Sequence, residues 1–415
     1  MPDPIEKQYV KHPYPLPIHD MAERLKSGTH KEASGMDLVW NKLFPEKVYS
    51  DQLDVLIAGC GTNQAVYHAL KFPSSNYYAI DVSQTSIDHV KKMIKMYDIK
   101  NLDVERREIE DLTDEKAFDY VISTGVIHHT ANPEQSLRKL VHATRDDGAL
   151  FIMVYASYLR TGVYLLQDVF RYLELENDDA GIKAVLSILD LLPEKHFAQK
   201  YIEGIKNSSG TRDLTFKSGV VDTFLNARDV AFNIIDLKKL IASAGAYFQC
   251  WEDNIFYYRE LFNFDNTPEY AKRYANLDPW QLADFTQKIS LDSGKLTFTL
   301  RRKRNFEHMW FKQEDLTSST FIHQAQIIKA LNPNATMTDN LVLTTPHGTV
   351  KLNELETLVW NSAGSTLENL TSRANLTTAR AGRGEHSLRD YKSTIHKLWR
   401  RGVLEFSTRD TRILQ

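Results

Sequence analysis

Two glycines separated by one residue end an apolar run, so that Asp54 to Gln64 reads DVLIAGCGTNQ. Gly59 and Gly61 have no side chain, so the turn can take positive φ and a ligand can lie against its backbone. A tight turn also uses glycine for steric reasons alone. Asp81 stands about 20 residues further on, at the end of the next apolar stretch, where an acidic side chain can accept hydrogen bonds from both hydroxyls of a ribose. A dinucleotide fingerprint wants a third glycine at position 64, which is Gln. With Asn63 and Gln64 at the helix start, a nucleoside without phosphates fits better than a pyrophosphate on the helix N-terminus. His128 and His129, in TGVIHHTANP, carry imidazoles that titrate near neutral pH and could take a proton from a hydroxyl or an amine. Cys60, between the glycines, has nothing beside it in the sequence to activate a thiolate and reads as a small packing residue.

Those side chains need a scaffold. DVLIAG (54–59) is continuously apolar, as a parallel strand covered on both faces must be, and TNQAVYHALKF places Ala65, Ala69 and Leu70 at helical spacing. The pattern repeats with strand NYYAID (76–81), helix SQTSIDHVKKMIKMYDI, strands LDVERRE and FDYVIST (118–124), helix NPEQSLRKLVHAT and strand GALFIMVYA. Ser83 suits an N-cap, and Asn132 with Pro133 gives another helix a cap and a first-turn proline. Strands alternating with helices predict a doubly wound, Rossmann-like α/β sheet, whose ligands bind at the carboxyl ends of the strands near the point where strand order reverses.

VLIAGCGT, AIDVS, REIEDL, FDYVISTGVIHH and DDGALFIMVY stand in the order and at roughly the spacing of the motifs of class I S-adenosylmethionine-dependent methyltransferases, which the chain resembles over residues 50–155. The resemblance implies a seven-stranded sheet with its last strand antiparallel, S-adenosyl-L-methionine as cofactor, S-adenosyl-L-homocysteine as product, and no metal. It implies that Gly59, Cys60 and Gly61 form the turn under the methionine part and that Asp81 and Val82 hold the ribose. Glu108 would meet the adenine amino group, with the backbone of Ile109 facing the ring. Glu108 stands where Asp is commoner, and Asn63 ends the glycine turn, a position that a left-handed backbone would tolerate. Thr124, His128 and His129 lie at the carboxyl edge of the sheet, where cofactor and methyl acceptor meet. Histidine is frequent there in the family whatever the substrate, so His128 and His129 are either a general base or structural. Aligning an electron-rich nucleophile with the methyl group supplies much of the rate, and a weak acid–base signature does not count against transfer.

The flanking segments are read around that core. Residues 1–46 form an N-terminal segment in which Pro13, Pro15 and Pro17 favour an extended path, so that Tyr9 and Tyr14 can project towards the sheet edge as a lid over the cofactor. Residues 47–305 form the methyltransferase domain. Within it, residues 157–229 carry a helical insertion (LRTGVYLLQDVFRYLEL, AGIKAVLSILDLL, FAQKYIEGIK) that lies above the cleft and can form the acceptor pocket, with Arg160, Tyr164 and Arg228 as lining candidates. Gly245 ends the helix before the sixth strand, and GKLTFTLRRK (294–303) is the seventh. Residues 306–415 read as helices STFIHQAQIIKALN, KLNELETLVWNS, STLENLTSRA and LRDYKSTIHKLWRRG with a final strand VLEFS, a small, mainly helical, winged-helix-like domain. Its Arg373, Arg380, Arg383, Arg389, Lys392, Lys397, Arg400 and Arg401 are answered only by Glu385 and Asp390. Such a module serves homodimerisation or peptide docking, caps the structure, or, less readily, meets nucleic acid.

Composition narrows the classes. A net charge of −3 over 415 residues gives no global reason to expect nucleic acid or an anionic membrane. No apolar run approaches the roughly 20 residues of a membrane helix, and no basic segment with an apolar core opens the chain. Cys60 and Cys250 are too few for a disulfide framework, which points to a reducing, cytoplasmic compartment. The expectation is methyl transfer to an oxygen or nitrogen of a small-molecule, peptide or protein acceptor. The alternative is a regulatory or scaffolding protein that binds S-adenosylmethionine or S-adenosylhomocysteine and acts through its C-terminal domain.

Overall fold

The computed structural model of the chain describes residues 3–207, 213–258 and 267–303, and beyond them 326–329, 336–338, 342–345, 348–362, 367, 369–370 and 386–407. The residues group into two compact units: Met1–Glu32, Ser50–Phe248 and Gln287–Arg304 in the first, Ala33–Tyr49, Gln249–Thr286 and Asn305–Gln415 in the second. The grouping does not follow chain order, since part of the N-terminal segment joins the C-terminal residues.

Helices α1 (Pro4–Lys11), α2 (Met21–Lys26) and α3 (Met36–Leu43) precede the first strand. Five strands follow, β1 (Asp54–Ala58), β2 (Asn76–Asp81), β3 (Leu102–Arg106), β4 (Phe118–Thr124) and β5 (Thr144–Tyr155), alternating with α4 (Gln64–Lys71), α5 (Gln84–Tyr97) and α6 (Pro133–Ala143). With β6 (Tyr247–Trp251) and β7 (Lys295–Arg301) they make a seven-stranded sheet in the order β3-β2-β1-β4-β5-β7-β6. β1 pairs in parallel with β2 on one side and β4 on the other, and β7 runs antiparallel to β5. Strand order therefore reverses between β1 and β4, and the glycine turn opens at that point. β1 reads as unbroken hydrophobic sequence because Val55, Leu56, Ile57 and Ala58 are all buried. The caps stand where the sequence places them: Ser83 Oγ accepts from the Ser86 N–H at 3.3 Å, and Asn132 Oδ1 from the Gln135 N–H at 3.0 Å. Gly245, at φ +72°, follows the helix that leads into β6.

After Tyr155 the chain leaves the sheet, and it returns at Phe232, whose N–H donates to the Tyr155 carbonyl at 2.9 Å. Between these points α7 (Thr161–Tyr172), α8 (Asp179–Asp190), α9 (Gln199–Asn207) and α10 (Lys217–Phe224) share a core of their own, built on Val163, Phe170, Val185, Ile202, Val221 and Phe224. The insertion is thus a small helical layer that can hold side chains at fixed places above the strand ends.

In the second unit β8 (Gln326–Lys329) pairs antiparallel with β12 (Leu404–Ser407), and β9 (Thr336–Thr338), β10 (Val342–Thr345) and β11 (Gly348–Lys351) form an antiparallel sheet. The helices Glu354–Asn361 and Leu388–Arg400 both begin with capping boxes, Asn353 with Glu356 and Ser387 with Asp390. Two expectations are corrected here. STFIHQAQIIKALN is not one helix, because Gln326–Lys329, with its two isoleucines, pairs as a strand. The described part of the C-terminal region is mixed rather than mainly helical. Glu356 also answers the basic cluster, since Lys397 Nζ lies 2.8 Å and Arg401 Nη1 3.5 Å from its Oε1. Arg373, Arg380, Arg383 and Glu385 lie outside the described residues. Among the described residues no helix is long and apolar enough to cross a membrane.

Candidate active site

Gly59 and Gly61 take φ of +78° and +53°, conformations that any side chain would strain. A Cβ on Gly59 would lie 2.2 Å from Val126 Cγ2, and one on Gly61 3.1 Å from the Tyr14 carbonyl oxygen. Part of the close approach that requires glycine is therefore made by the chain itself. Asp81 ties the turn to the end of β2: Oδ2 accepts from the Gly61 N–H and Oδ1 from the Ser83 N–H, each at 2.8 Å. Burial raises its pKa, and the backbone N–H groups of Ser83, Gly61 and Val82 oppose the rise. Gln64, where a third glycine was sought, donates from Nε2 to Thr124 Oγ1 at 3.0 Å and so joins the turn to the end of β4.

Asn63 is corrected: its φ is −121°, not left-handed. Its amide grips the N-terminal arm instead, donating to the Leu16 carbonyl at 2.9 Å and accepting from the Ile18 N–H at 2.8 Å. Thr62 Oγ1 adds a bond to the Pro15 carbonyl at 2.8 Å. The arm before the prolines is helical where the sequence suggested an extended leader, because Asp3 caps α1 and Pro4 fills its first turn. It is fastened on two sides. Ser83 and Thr85 hydroxyls donate to the Tyr9 and Val10 carbonyls, each at 3.0 Å, while the Ala227 N–H donates to Gln8 Oε1 at 2.8 Å and Arg228 Nη2 lies 2.7 Å from Asp3 Oδ2.

The remaining cofactor candidates have less marked surroundings. Cys60 is buried, which pushes its thiol up and leaves it a packing residue. The Val82 carbonyl accepts from Arg106 Nε at 3.2 Å. Glu108 precedes the short turn Ile109–Asp111, and partial burial together with the charges of Glu110, Asp111, Asp3 and Glu6 raises its carboxyl.

Beside the turn a polar cluster joins arm, sheet and insertion. The Tyr9 and Tyr155 hydroxyls donate to the two oxygens of Asp222 at 2.7 and 2.9 Å, and Tyr14 donates to Asp213 Oδ1 at 3.3 Å. Burial, then the Asp222 charge, keeps Tyr9, Tyr14 and Tyr155 well above the usual phenol range, so they remain protonated donors. Asp213 is pushed up to about 6 by burial and then by Asp222. Arg160, which was to line the pocket, is 1% exposed and fully engaged. Its guanidinium stacks 3.8 Å from the Tyr155 ring centre and donates to Tyr201, to Tyr164 at 3.1 Å and to Asp229 at 3.0 Å. Arg228 is likewise engaged, with Asp3 and with the His129 carbonyl at 3.3 Å.

His128 packs 4.0 Å from the Tyr155 ring and 4.1 Å from the His129 ring, and neither of its buried nitrogens has a hydrogen-bond partner. Burial, followed by His129 and Arg160, holds it well below the imidazole range and therefore neutral. His129 Nδ1 lies 2.7 Å from the Arg228 carbonyl, which can only accept, so Nδ1 is the donor, while Nε2 is buried without a hydrogen-bond partner. Among the described residues, His128, His129 and Asp229 also form the one group whose potential metal-ligating atoms lie within 4.8 Å of one another.

Sequence reasoning missed Asp213, Asp222, Asp229, Tyr155 and Tyr201. Tyr155 ends β5 and was legible by the rule that strand ends bind ligands. Asp213 depends on packing: the turn Asp213–Thr215 rests on α10, where a Cβ on Gly219 would come within 2.4 Å of the Asp213 carbonyl. No local motif announces that approach.

Residues 56–150 match the model of a family described as a methyltransferase domain. Residues 56–150 thus carry a methyltransferase domain. An uncharacterized protein of Synechococcus is 22% identical over 280 residues, 63% of this chain and 63% of the relative. The (S)-coclaurine N-methyltransferase of Papaver somniferum is 28% identical over 240 residues, 53% of this chain and 63% of that enzyme. The chain thus spans less than two thirds of the length of these relatives. The structure of PKMT2 from Rickettsia typhi in complex with AdoHcy is similar with a TM-score of 0.61 at 15% identity, over 95% of this chain and 77% of that one, a likeness of fold.

Proposed function

We propose that the methyltransferase moves the methyl group of S-adenosylmethionine to a nitrogen atom of a small molecule held between the N-terminal arm and the insertion. The observation that carries this reading is the direction of the hydrogen bonds. The hydroxyl protons of Tyr9, Tyr14 and Tyr155 all point to aspartates, so the cluster beside the glycine turn offers oxygen lone pairs, which recognise an N–H or O–H donor. The Papaver relative is named an N-methyltransferase, which supports nitrogen.

In this reading Gly59, Cys60 and Gly61 carry the methionine part, Asp81 and Val82 the ribose, Glu108 and Ile109 the adenine, and Thr124 and Tyr14 border the cofactor. The acceptor nitrogen attacks the methyl carbon, the carbon–sulfur bond breaks with its electron pair left on sulfur, and the product is S-adenosylhomocysteine. The proton lost from nitrogen goes to a nearby base, for which His129 Nε2 and neutral His128 are available. Arg160, Tyr164 and Arg228 shape the site without touching the reacting atoms. Cys60 and Cys250 are both buried, in keeping with a reducing, cytoplasmic setting.

The test is S-adenosylhomocysteine release with a panel of amines, alcohols and carboxylates, followed by mass spectrometry of the products. Amine-dependent turnover with a methyl group on nitrogen is expected. Turnover confined to hydroxyl or carboxylate compounds would overturn the nitrogen assignment.

A further inference from the structure

The acceptor cluster holds more negative than positive charge. Asp213 and Asp222 are 8% and 2% exposed, and the Asp229 side chain is fully buried. Of the three, only Asp229 has a cationic partner among the described residues, the Arg160 guanidinium at 3.0 Å. Asp222 receives two phenol hydrogen bonds and Asp213 one, but neither forms an ion pair. Three carboxylates against one guanidinium leave an excess of two negative charges out of bulk water, an arrangement that calls for a cation. A second observation points to a ligand at the same place. Gln8 Nε2, His129 Nε2 and both nitrogens of His128 are buried without a hydrogen-bond partner, and Gln8 and His129 flank Tyr9, whose ring lies 6.2 Å from that of His129.

Resting on the methyl-transfer reading above, we propose that this cluster is the acceptor site for an aliphatic amine, which enters as an ammonium cation and is held by Asp213 and Asp222 against the rings of Tyr9 and Tyr14. Carboxylates supply the charge-assisted hydrogen bonds, and the ring faces attract a cation. Before transfer the ammonium gives one proton to a carboxylate or to His129 Nε2, which frees the nitrogen lone pair for the methyl carbon. Asp213, already pushed up to about 6, is suited to hold that proton. A divalent metal suits the cluster less well. The histidine-rich group includes Asp229, whose oxygens are engaged by Arg160 at 3.0 Å and by Tyr164 at 3.4 Å, and the Arg160 charge stacks on the same Tyr155 that touches His128.

The experiment uses the full chain saturated with S-adenosylhomocysteine and titrates n-butylamine, N-methylbutylamine and the neutral isostere 1-butanol by calorimetry, with ZnCl2 in a parallel titration. The amines are expected to bind at least tenfold more tightly than 1-butanol. Asp222→Asn and Asp213→Asn should each weaken amine binding tenfold or more while leaving S-adenosylhomocysteine affinity within twofold, which also shows that the variants fold. Equal binding of 1-butanol, amine affinity indifferent to both substitutions, or zinc binding that excludes no amine and alone depends on the aspartates would each overturn the proposal. Failure of the wild type to bind S-adenosylhomocysteine would instead strike the cofactor reading, so the two failures are distinct.

Discussion

Asp213→Asn should make the protein more stable at neutral pH. Asp213 is held at about 6 by burial and by the neighbouring charge of Asp222, with Arg160 acting in the opposite sense and the Tyr14 hydroxyl as its direct partner. An ordinary aspartate titrates near 3.8, so the folded state binds this proton more tightly than the unfolded chain does. The sign follows: between about pH 4 and 6 the native state carries more protons, and wild-type stability falls as pH rises through that window. A rise from 3.8 to about 6 corresponds to about 3 kcal/mol at full ionisation. Asparagine removes that cost and weakens the Tyr14 hydrogen bond by about 1 kcal/mol, for a net gain on the order of 1 to 2 kcal/mol at pH 7.5. Over a denaturant slope of about 3 kcal/mol per molar urea, the midpoint should move up by about 0.5 M. Urea unfolding of wild type and variant at pH 4, 5, 6 and 7.5 reads this directly. The gain should shrink towards pH 4, where the folded aspartate is already protonated and the unfolded one approaches its own midpoint near 3.8. A variant midpoint at pH 7.5 no higher than wild type, or a difference independent of pH, would refute the reasoning.

Further outcomes follow from the same geometry. Asn63→Ala removes two bonds to the N-terminal arm, at 2.9 and 2.8 Å, and should raise amide exchange across residues 3–18 with a loss of about 1 to 2 kcal/mol in global stability. Unchanged exchange would show that the arm is held elsewhere. Arg160→Met leaves Asp229 buried without its cation and should cost about 3 to 5 kcal/mol by thermal unfolding, whereas the double change with Asp229→Leu should recover much of that loss. Equal instability of the single and double variants would place the damage in packing rather than charge.

The sheet was legible because each strand was marked by local pattern: the unbroken apolar run of β1, the caps at Ser83 and Asn132, and the glycine pair at the reversal of strand order all act within a few residues. The glycine turn and its tie to Asp81 were legible for the same reason, since Gly59, Gly61 and Asp81 belong to consecutive elements. The acceptor side was not. Arg160 and Tyr164 drew attention as residues of the right type, yet their hydrogen bonds turn inward to Tyr201 and Asp229. Asp213 and Asp222 meet Tyr14 and Tyr9 across about 200 residues of chain, and no periodicity records a pairing of that separation. QIIK failed as a helix because a four-residue strand inside a longer apolar stretch has no signal of its own until its partner Leu404–Ser407 is known.

The most direct test of the account is calorimetric titration of S-adenosylmethionine and S-adenosylhomocysteine into wild type and Asp81→Asn. Asparagine keeps the side-chain shape but loses the charge and one accepting oxygen, where the carboxylate already takes the Gly61 and Ser83 N–H groups at 2.8 Å. Saturable binding by the wild type, weakened in the variant by about 1.5 to 3 kcal/mol, roughly 10- to 100-fold, is the predicted result. No binding of either nucleoside, or binding indifferent to Asp81, would contradict it.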